Sequence, residues 1–320
     1  MKLLVTGGAG FIGSNFIRHM MDTDPGVEII NYDLLTYAGN LNNLKGIDKR
    51  SCYTFIKGDI CNRDLVHATL KKNPVDAIIH FAAESHVDRS ITDPSAFVRT
   101  NVLGTHTLLE ASRNHSVPKF IHISTDETYG SIQSGSFTET DILAPSSPYS
   151  ASKAGSDLLA LSYFTTYHLP VIVTRCTNNF GPYQFPEKLI PLFITNILEG
   201  KKVPVYGTGK NVRDWIHVDD HCRAIEFLLH QGVPGEVYNI GGGNEKTNLE
   251  ITDKILRILK KDPSMIEYVS DRPGHDFRYS LDCSKLMKMG WRPRYTFETA
   301  LEETVAWYRQ NDWWWLPLKK

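Results

Sequence analysis

The 320-residue sequence contains no apolar run of membrane-spanning length, which argues against a helical membrane protein. It also lacks a charge bias. Lys and Arg number 35 against 36 Asp and Glu, a formal net charge of -1, and neither a basic run nor a basic arm is present. Without that footprint there is no electrostatic case for nucleic acid or an anionic membrane, so small polar partners are expected. Cys52, Cys61, Cys176, Cys222 and Cys283 include no CxxC pair, and an odd count argues against a disulfide framework and for reduced thiols. The first apolar strand begins at Lys2, which leaves no room for a leader peptide, and a cytoplasmic location is expected. Internal repeats, low-complexity segments and flexible linkers are missing as well.

What remains is an ordinary globular composition, 41% hydrophobic and 22% charged, long enough for one large domain with an appendage or for two domains. Apolar runs at Leu3–Val5, Glu28–Tyr32, Tyr53–Lys57, Ala77–Phe81, Phe120–Ser124 and Val171–Arg175 alternate with helical patterns at Phe11–Met21, Arg63–Lys72, Ala96–Asn114 and Tyr149–Tyr167. Continuous apolar strands alternating with helices imply a parallel sheet covered on both faces. The expected class is α/β, a doubly wound parallel (Rossmann) sheet with a smaller C-terminal α/β substrate domain. After Thr177, turn signals such as Gly181-Pro182 and Gly241-Gly242-Gly243 break the regular spacing. The expected division is 1–177, rejoined by a strand-helix unit within 212–235, for the first domain, and 178–211 with 236–320 for the second.

Strand one runs into Thr6-Gly7-Gly8-Ala9-Gly10-Phe11-Ile12-Gly13, where Gly8, Gly10 and Gly13 have GxGxxG spacing and a helix follows. Glycines there allow a tight turn and close backbone approach to a pyrophosphate seated at the helix N-terminus. Asp33 lies about 20 residues on, where an acid grips an adenosine ribose, and its carboxylate would repel a 2′-phosphate, so NAD is favoured over NADP. Asp59 and Ile60 after the third strand, and Phe81-Ala82-Ala83 at the switch point, are further candidates.

Tyr149 and Lys153 stand four apart on a predicted helix and share one face. A free phenol has a pKa near 10. A nearby ammonium and a nicotinamide cation would favour phenolate: one charge at ~4 Å and effective dielectric ~20 supplies roughly 4 kcal/mol, about three pK units. Ser124 and Thr125 end the preceding strand, where hydroxyls could hold a reacting oxygen. The redox pair leaves Asp126 and Glu127 unexplained, since adjacent carboxyls suggest acid and base roles in a second step. His217 and His221 are four apart but have no identifiable third ligand, so no metal is expected. Trp313-Trp314-Trp315 near the C-terminus reads as a tail docked on the core or on a subunit.

The glycine loop, Ser124-Thr125-Asp126-Glu127 and Tyr149-x-x-x-Lys153 together resemble the extended short-chain dehydrogenase/reductases, and more narrowly the dTDP-glucose 4,6-dehydratases. That narrower family also carries stretches matching Ala82 to Ser90, Asn178-Asn179-Phe180-Gly181-Pro182-Tyr183, Pro186-Glu187-Lys188-Leu189-Ile190-Pro191, Arg213-Asp214-Trp215 and Asp271-Arg272-Pro273-Gly274-His275. The match runs from Thr6 to near Tyr308. Thr128 departs from it, since the family usually has valine there. The resemblance implies NAD-dependent 4,6-dehydration of dTDP-glucose, with Tyr149, Lys153 and Thr125 serving C4 oxidation, Glu127 as base at C5 and Asp126 as acid at C6.

By the same likeness the cofactor is met by Gly7, Gly10, Phe11, Ile12, Gly13, Asp33, Leu35, Thr36, Asp59, Ile60, Phe81, Ala82, Ala83, Ser85, Thr100, Tyr149, Lys153 and Asn179. The substrate is met by Ser85, Thr125, Asn178, Lys188, Leu189, Pro204, Tyr206, Arg213, Asn248, Asp271, Arg272, His275 and Tyr308, with Arg213 and Arg272 suited to a diphosphate. Thymine and uracil are not separated by any contact located in the sequence. Relatives pair as homodimers through helices such as the one holding Tyr149. A 4-epimerase of the same fold would need the tyrosine and lysine but not the carboxyl pair, and a noncatalytic dinucleotide sensor would need neither.

Overall fold

A computed structural model describes residues 1–271 and 273–319. Seven strands form one parallel sheet: β1 (Lys2–Thr6), β2 (Glu28–Asp33), β3 (Tyr53–Lys57), β4 (Ala77–His80), β5 (Phe120–Thr125), β6 (Val171–Cys176) and, after the short β7 (Asn178–Phe180), β8 (Val203–Tyr206) and β9 (Val212–His217), β10 (Val237–Ile240). Their order is β10-β6-β5-β4-β1-β2-β3, which reverses direction between β1 and β4. β1, β4, β5 and β6 are buried almost throughout, as strands covered on both faces must be. On one face Leu3, Val5 and Ile79 pack with Phe16, Ile17 and Met20 of the Phe11–Thr23 helix, and on the other Leu4, Ile78 and Val173 pack with Leu108 and Leu109.

The returning segment differs from its expected bounds. β9 pairs with β7 and with β11 (Glu245–Thr247) in a separate three-stranded sheet, so its backbone is already spent. The Val218–Gln231 helix, packed through Cys222, Ile225 and Leu228 on the first core, and then β10 are what rejoin the large sheet. β8 pairs with β12 (Ile266–Val269), and a third core gathers Phe193, Ile194, Trp215, Ile251, Ile255, Phe297 and Tyr308.

Two local features were not foreseen. A short helix, Val87–Thr92, precedes the long helical stretch, and that stretch contains a π segment, Val98–Gly104. Within the π segment Asn101 accepts from the Glu84 amide at 2.8 Å and donates to Ser152 Oγ at 2.8 Å, and Thr100 is turned to the cleft.

The tryptophan tail docks on the core. Trp314 Nε1 donates to Asn43 Oδ1 at 2.7 Å, while Asn43 Nδ2 donates to the Ala9 carbonyl at 2.9 Å inside the glycine loop. Tyr183 lies edge-on to Trp307 and Trp314. The five cysteines are free, and no helix among the described residues is long and apolar enough to cross a membrane.

Candidate active site

The main cleft, about 340 Å³, opens at the carboxyl ends of the strands where their order reverses. Gly7 follows β1 with φ 72°. A Cβ on Gly7 would stand 2.6 Å from the Ala82 nitrogen, and one on Gly13 would stand 2.4 Å from the Gly7 carbonyl, so the loop is closed to side chains. The Phe11–Thr23 helix begins at Gly10 with no side-chain cap and no acid in its first turn, which leaves its first N–H groups for an anion. Asp33 lines the cleft and accepts from the amides of Ala9 at 2.9 Å and Leu35 at 2.7 Å. Burial pushes its carboxyl up from the ordinary value, against the pull of those two donors. A cradle with no room for side chains, an open helix terminus and a carboxylate at the end of β2 fit a dinucleotide with a free ribose diol.

Thr36, Asp59, Ile60, Phe81, Ala82, Ala83, Ser85, Thr100 and Asn179 line the same cleft, and Asp59 is tied to Arg99 at 2.7 Å. Leu35 is not among the residues that line the cleft. It adopts φ 60°, and Leu34 rather than Leu35 faces the cleft.

At the other end β5 stops at Thr125, and one 3-10 turn, Asp126–Tyr129, follows. Thr125 Oγ1 accepts from the Glu127 amide at 3.3 Å and donates to Asp126 Oδ1 at 3.2 Å. The Pro148–Tyr167 helix starts from a Ser147–Ser150 capping box, which sets Tyr149 in its first turn and Lys153 one turn later. Thr125, Glu127, Tyr149 and Lys153 all line the cleft. Asp126 lies just beneath, buried, with Oδ2 unpartnered. Burial, reinforced by the neighbouring Glu127 charge, holds the Asp126 carboxyl well above the usual range, which favours its protonated form.

In the tyrosine–lysine pair, burial is the leading influence on both side chains. Burial and then the Glu127 charge push the Tyr149 phenol up, with a hydrogen bond to Thr125 pulling the other way. Lys153 donates to the Ile123 carbonyl at 2.7 Å, and burial lowers its ammonium to about 8. Desolvation and the Glu127 charge therefore set the phenol of the protein alone, and the expected nicotinamide cation would act against them.

The structure divides the residues assigned to substrate. Asn178 and Lys188 line the cleft, and Lys188 Nζ donates to the Ser85 carbonyl at 3.0 Å. Arg213 is buried, donating to the carbonyls of Val212 and Asp276, with its guanidinium 4.1 Å from the Tyr279 ring centre. His275 Nδ1 lies 2.6 Å from Asp271 Oδ1, and the Tyr206 ring lies edge-on to His275. Leu189, Pro204 and Asn248 stand off the cavity, Asn248 opening the Asn248–Ile258 helix. Tyr308 is a correction: it is fully buried and donates to the Gln184 carbonyl at 2.5 Å, so it supports the cleft wall from behind. Arg272 lies outside the described residues.

Several cleft residues were missed. Tyr37 lies edge-on to Phe185, Arg89 sits 3.8 Å over the Tyr37 ring, and Glu187 reaches Arg89 at 3.5 Å and His86 at 3.4 Å. These residues come from three distant segments, which no spacing rule joins. His221, considered only as half of a metal pair, lines the cleft with Nδ1 2.9 Å from Asn179 Oδ1 and is held down to about 3 by burial. Among the described residues no cluster of three or more metal-ligating side chains occurs.

The model for the family GDP-mannose 4,6 dehydratase matches residues 4–304. The sequence is 55% identical over 324 residues to a dTDP-glucose 4,6-dehydratase of Streptomyces niveus, covering 100% of this chain and 96% of that one. Among solved structures, DesIV, a dTDP-glucose 4,6-dehydratase from Streptomyces venezuelae with NAD and a TDP ligand bound, superposes with a TM-score of 0.97 at 54% identity, over 99% of this chain and 100% of that one. A dTDP-glucose 4,6-dehydratase from Bacillus anthracis in complex with NAD gives 0.94 at 55% identity over 99% of each chain.

Proposed function

The chain belongs to the GDP-mannose 4,6 dehydratase family, and from that premise we propose that it is an NAD-dependent hydro-lyase converting dTDP-glucose into dTDP-4-keto-6-deoxyglucose and water. One observation carries the reading: two adjacent carboxyls in unlike surroundings, Asp126 buried with its carboxyl pushed up and Glu127 open to the cleft, beside Tyr149 and Lys153. Environments that separate two carboxyls in this way assign acid and base.

Bound NAD supplies the acceptor for the hydride leaving C4 and the donor for its return to C6. The Gly7–Gly13 cradle and Asp33 would hold it. Tyr149 takes the proton of the 4-hydroxyl, whose oxygen Thr125 holds. Because burial and Glu127 raise its phenol, Tyr149 relies on positive charge from Lys153 and the nicotinamide ring to act as a base. The ketone formed at C4 acidifies the C5 hydrogen, and Glu127 removes it. Asp126 gives its proton to the departing 6-hydroxyl, leaving a conjugated enone and water. The proton held by Glu127 returns to C5 as C6 is reduced.

The names of the relatives favour thymine as the base. The enzyme is assigned to the cytoplasm, where free thiols persist. A homodimer is the assembly we expect: Val98, Leu103 and Leu158 are 56%, 50% and 59% exposed on two helical segments that pack together, and a second copy would cover them. The test of the reaction is dTDP-glucose carrying deuterium at C4. The label is expected at C6 of a keto sugar, and a product epimerised at C4 with no loss of water overturns the assignment.

A further inference from the structure

Tyr149, Lys153 and Asp157 are spaced four apart on the Pro148–Tyr167 helix and so lie along one face, yet only the first two reach the cleft. Asp157 is fully buried beneath them. Its Oδ2 accepts from Arg175 Nε at 2.9 Å, and its Oδ1 lies 3.3 Å from His122 Nε2, which also faces Ser156 Oγ at 3.0 Å. Burial and the Lys153 charge hold His122 down to about 4, so it is neutral. Arg175, on β6, carries the contact onward: its Nη1 donates to the Tyr129 hydroxyl at 2.8 Å, and Tyr129 in turn donates to Asn239 Oδ1 on β10 at 2.9 Å. The Tyr129 ring stacks on Phe137.

Tyr129 is the last residue of the turn that carries Asp126 and Glu127. That turn is held at its start by Thr125, which bonds to Tyr149, and at its end by Tyr129, which is tied through Arg175 to the same helix. Nothing in C4 oxidation needs the second tie, since Tyr149, Lys153 and Thr125 are already fixed by the helix and β5. The elimination does need it, because two carboxyls on a four-residue turn must meet C5 and C6 while the sugar is registered at C4 by another element.

We infer that Tyr129, Arg175 and Asp157 are positioning residues for the dehydration step, a buried strut that sets the Asp126–Glu127 turn against the Tyr149 helix. The inference rests on the acid and base roles proposed above. A strut of this kind acts on one half-reaction, whereas general damage to the fold acts on both.

Tyr129→Phe removes only the hydroxyl. In single-turnover absorbance of the reduced cofactor, C4 oxidation should keep its rate and amplitude while the elimination slows about tenfold, so that the reduced cofactor accumulates. KM for dTDP-glucose should not change. Equal slowing of both steps, or normal elimination, overturns the inference. If Tyr129→Phe does not fold, Arg175→Lys, which keeps a positive charge beside Asp157 but shortens the reach to Tyr129, is read in the same way. Glu127→Gln separates the two claims: normal dehydration by that variant sinks the base assignment, while blocked dehydration there with normal elimination in Tyr129→Phe sinks the strut alone.

Discussion

At the cofactor end of the cleft the chain removes side chains, with Gly7 and Gly13 leaving space that one Cβ would fill, whereas at the reaction end it buries ionisable ones, Asp126, Tyr149 and Lys153. The first is a shape made by backbone, with Asp33 held by backbone amides and Asp59 paired to Arg99. The second is a set of charge states that depend on burial and on one another. The difference teaches that damage to this site should sort into two kinds: losses of affinity that ignore pH, and losses of rate that follow it.

The sharpest trial is Tyr149→Phe. Removing the phenolic oxygen should lower kcat about 1,000-fold, in the range for a general base, with NAD affinity by calorimetry falling far less. A matching loss of NAD affinity would break the division. Gly13→Ala is its counterpart. Overpacking against the Gly7 carbonyl should cost roughly 2–3 kcal/mol, about 30- to 150-fold in the NAD Kd, with the pH dependence of kcat at saturating cofactor left as it was.

A third trial uses pH. Lys153 is charged below its lowered value of about 8 and neutral above it, so kcat should fall as pH rises through about 8, while NAD binding stays flat across that window. Asp157 pushes Lys153 upward, and Asp157→Asn should therefore move that limb to lower pH. A limb that stays in place shows that another group sets it. The smallest effect is expected from Trp314→Phe, which deletes the donor to Asn43 and should weaken NAD binding by roughly 0.5–1.5 kcal/mol without changing kcat. A change in kcat alone would move that contact to the other side of the comparison.

Much of the site was legible because it is contiguous. The glycine loop, Thr125-Asp126-Glu127 and Tyr149 with Lys153 each fall within one turn or one strand end, where spacing decides geometry. The six strands of the first half read correctly because their short runs, rich in apolar and β-branched residues, alternate with helical patterns. What escaped is long-range. Tyr37, Arg89 and Glu187 meet only after three segments fold together, and Asp157 looks like any polar residue on a helix until Arg175 is placed beside it. Tyr308 was assigned to substrate by family likeness, but the third core takes its whole ring. β9 was read as returning to the large sheet because strand-helix order is local, while the choice of pairing partner is not. The upward push on the Asp126 carboxyl could not be read at all, since it follows from burial rather than identity.

Asn43 and Trp314, joined by one hydrogen bond behind the glycine loop, are 271 residues apart in the chain. A ribosome adding roughly 5–20 residues per second needs on the order of 10–50 s to pass from one to the other. The nucleotide cradle therefore waits at least that long after Asn43 is synthesised for this brace, and through that interval a nascent chain holds the loop without it.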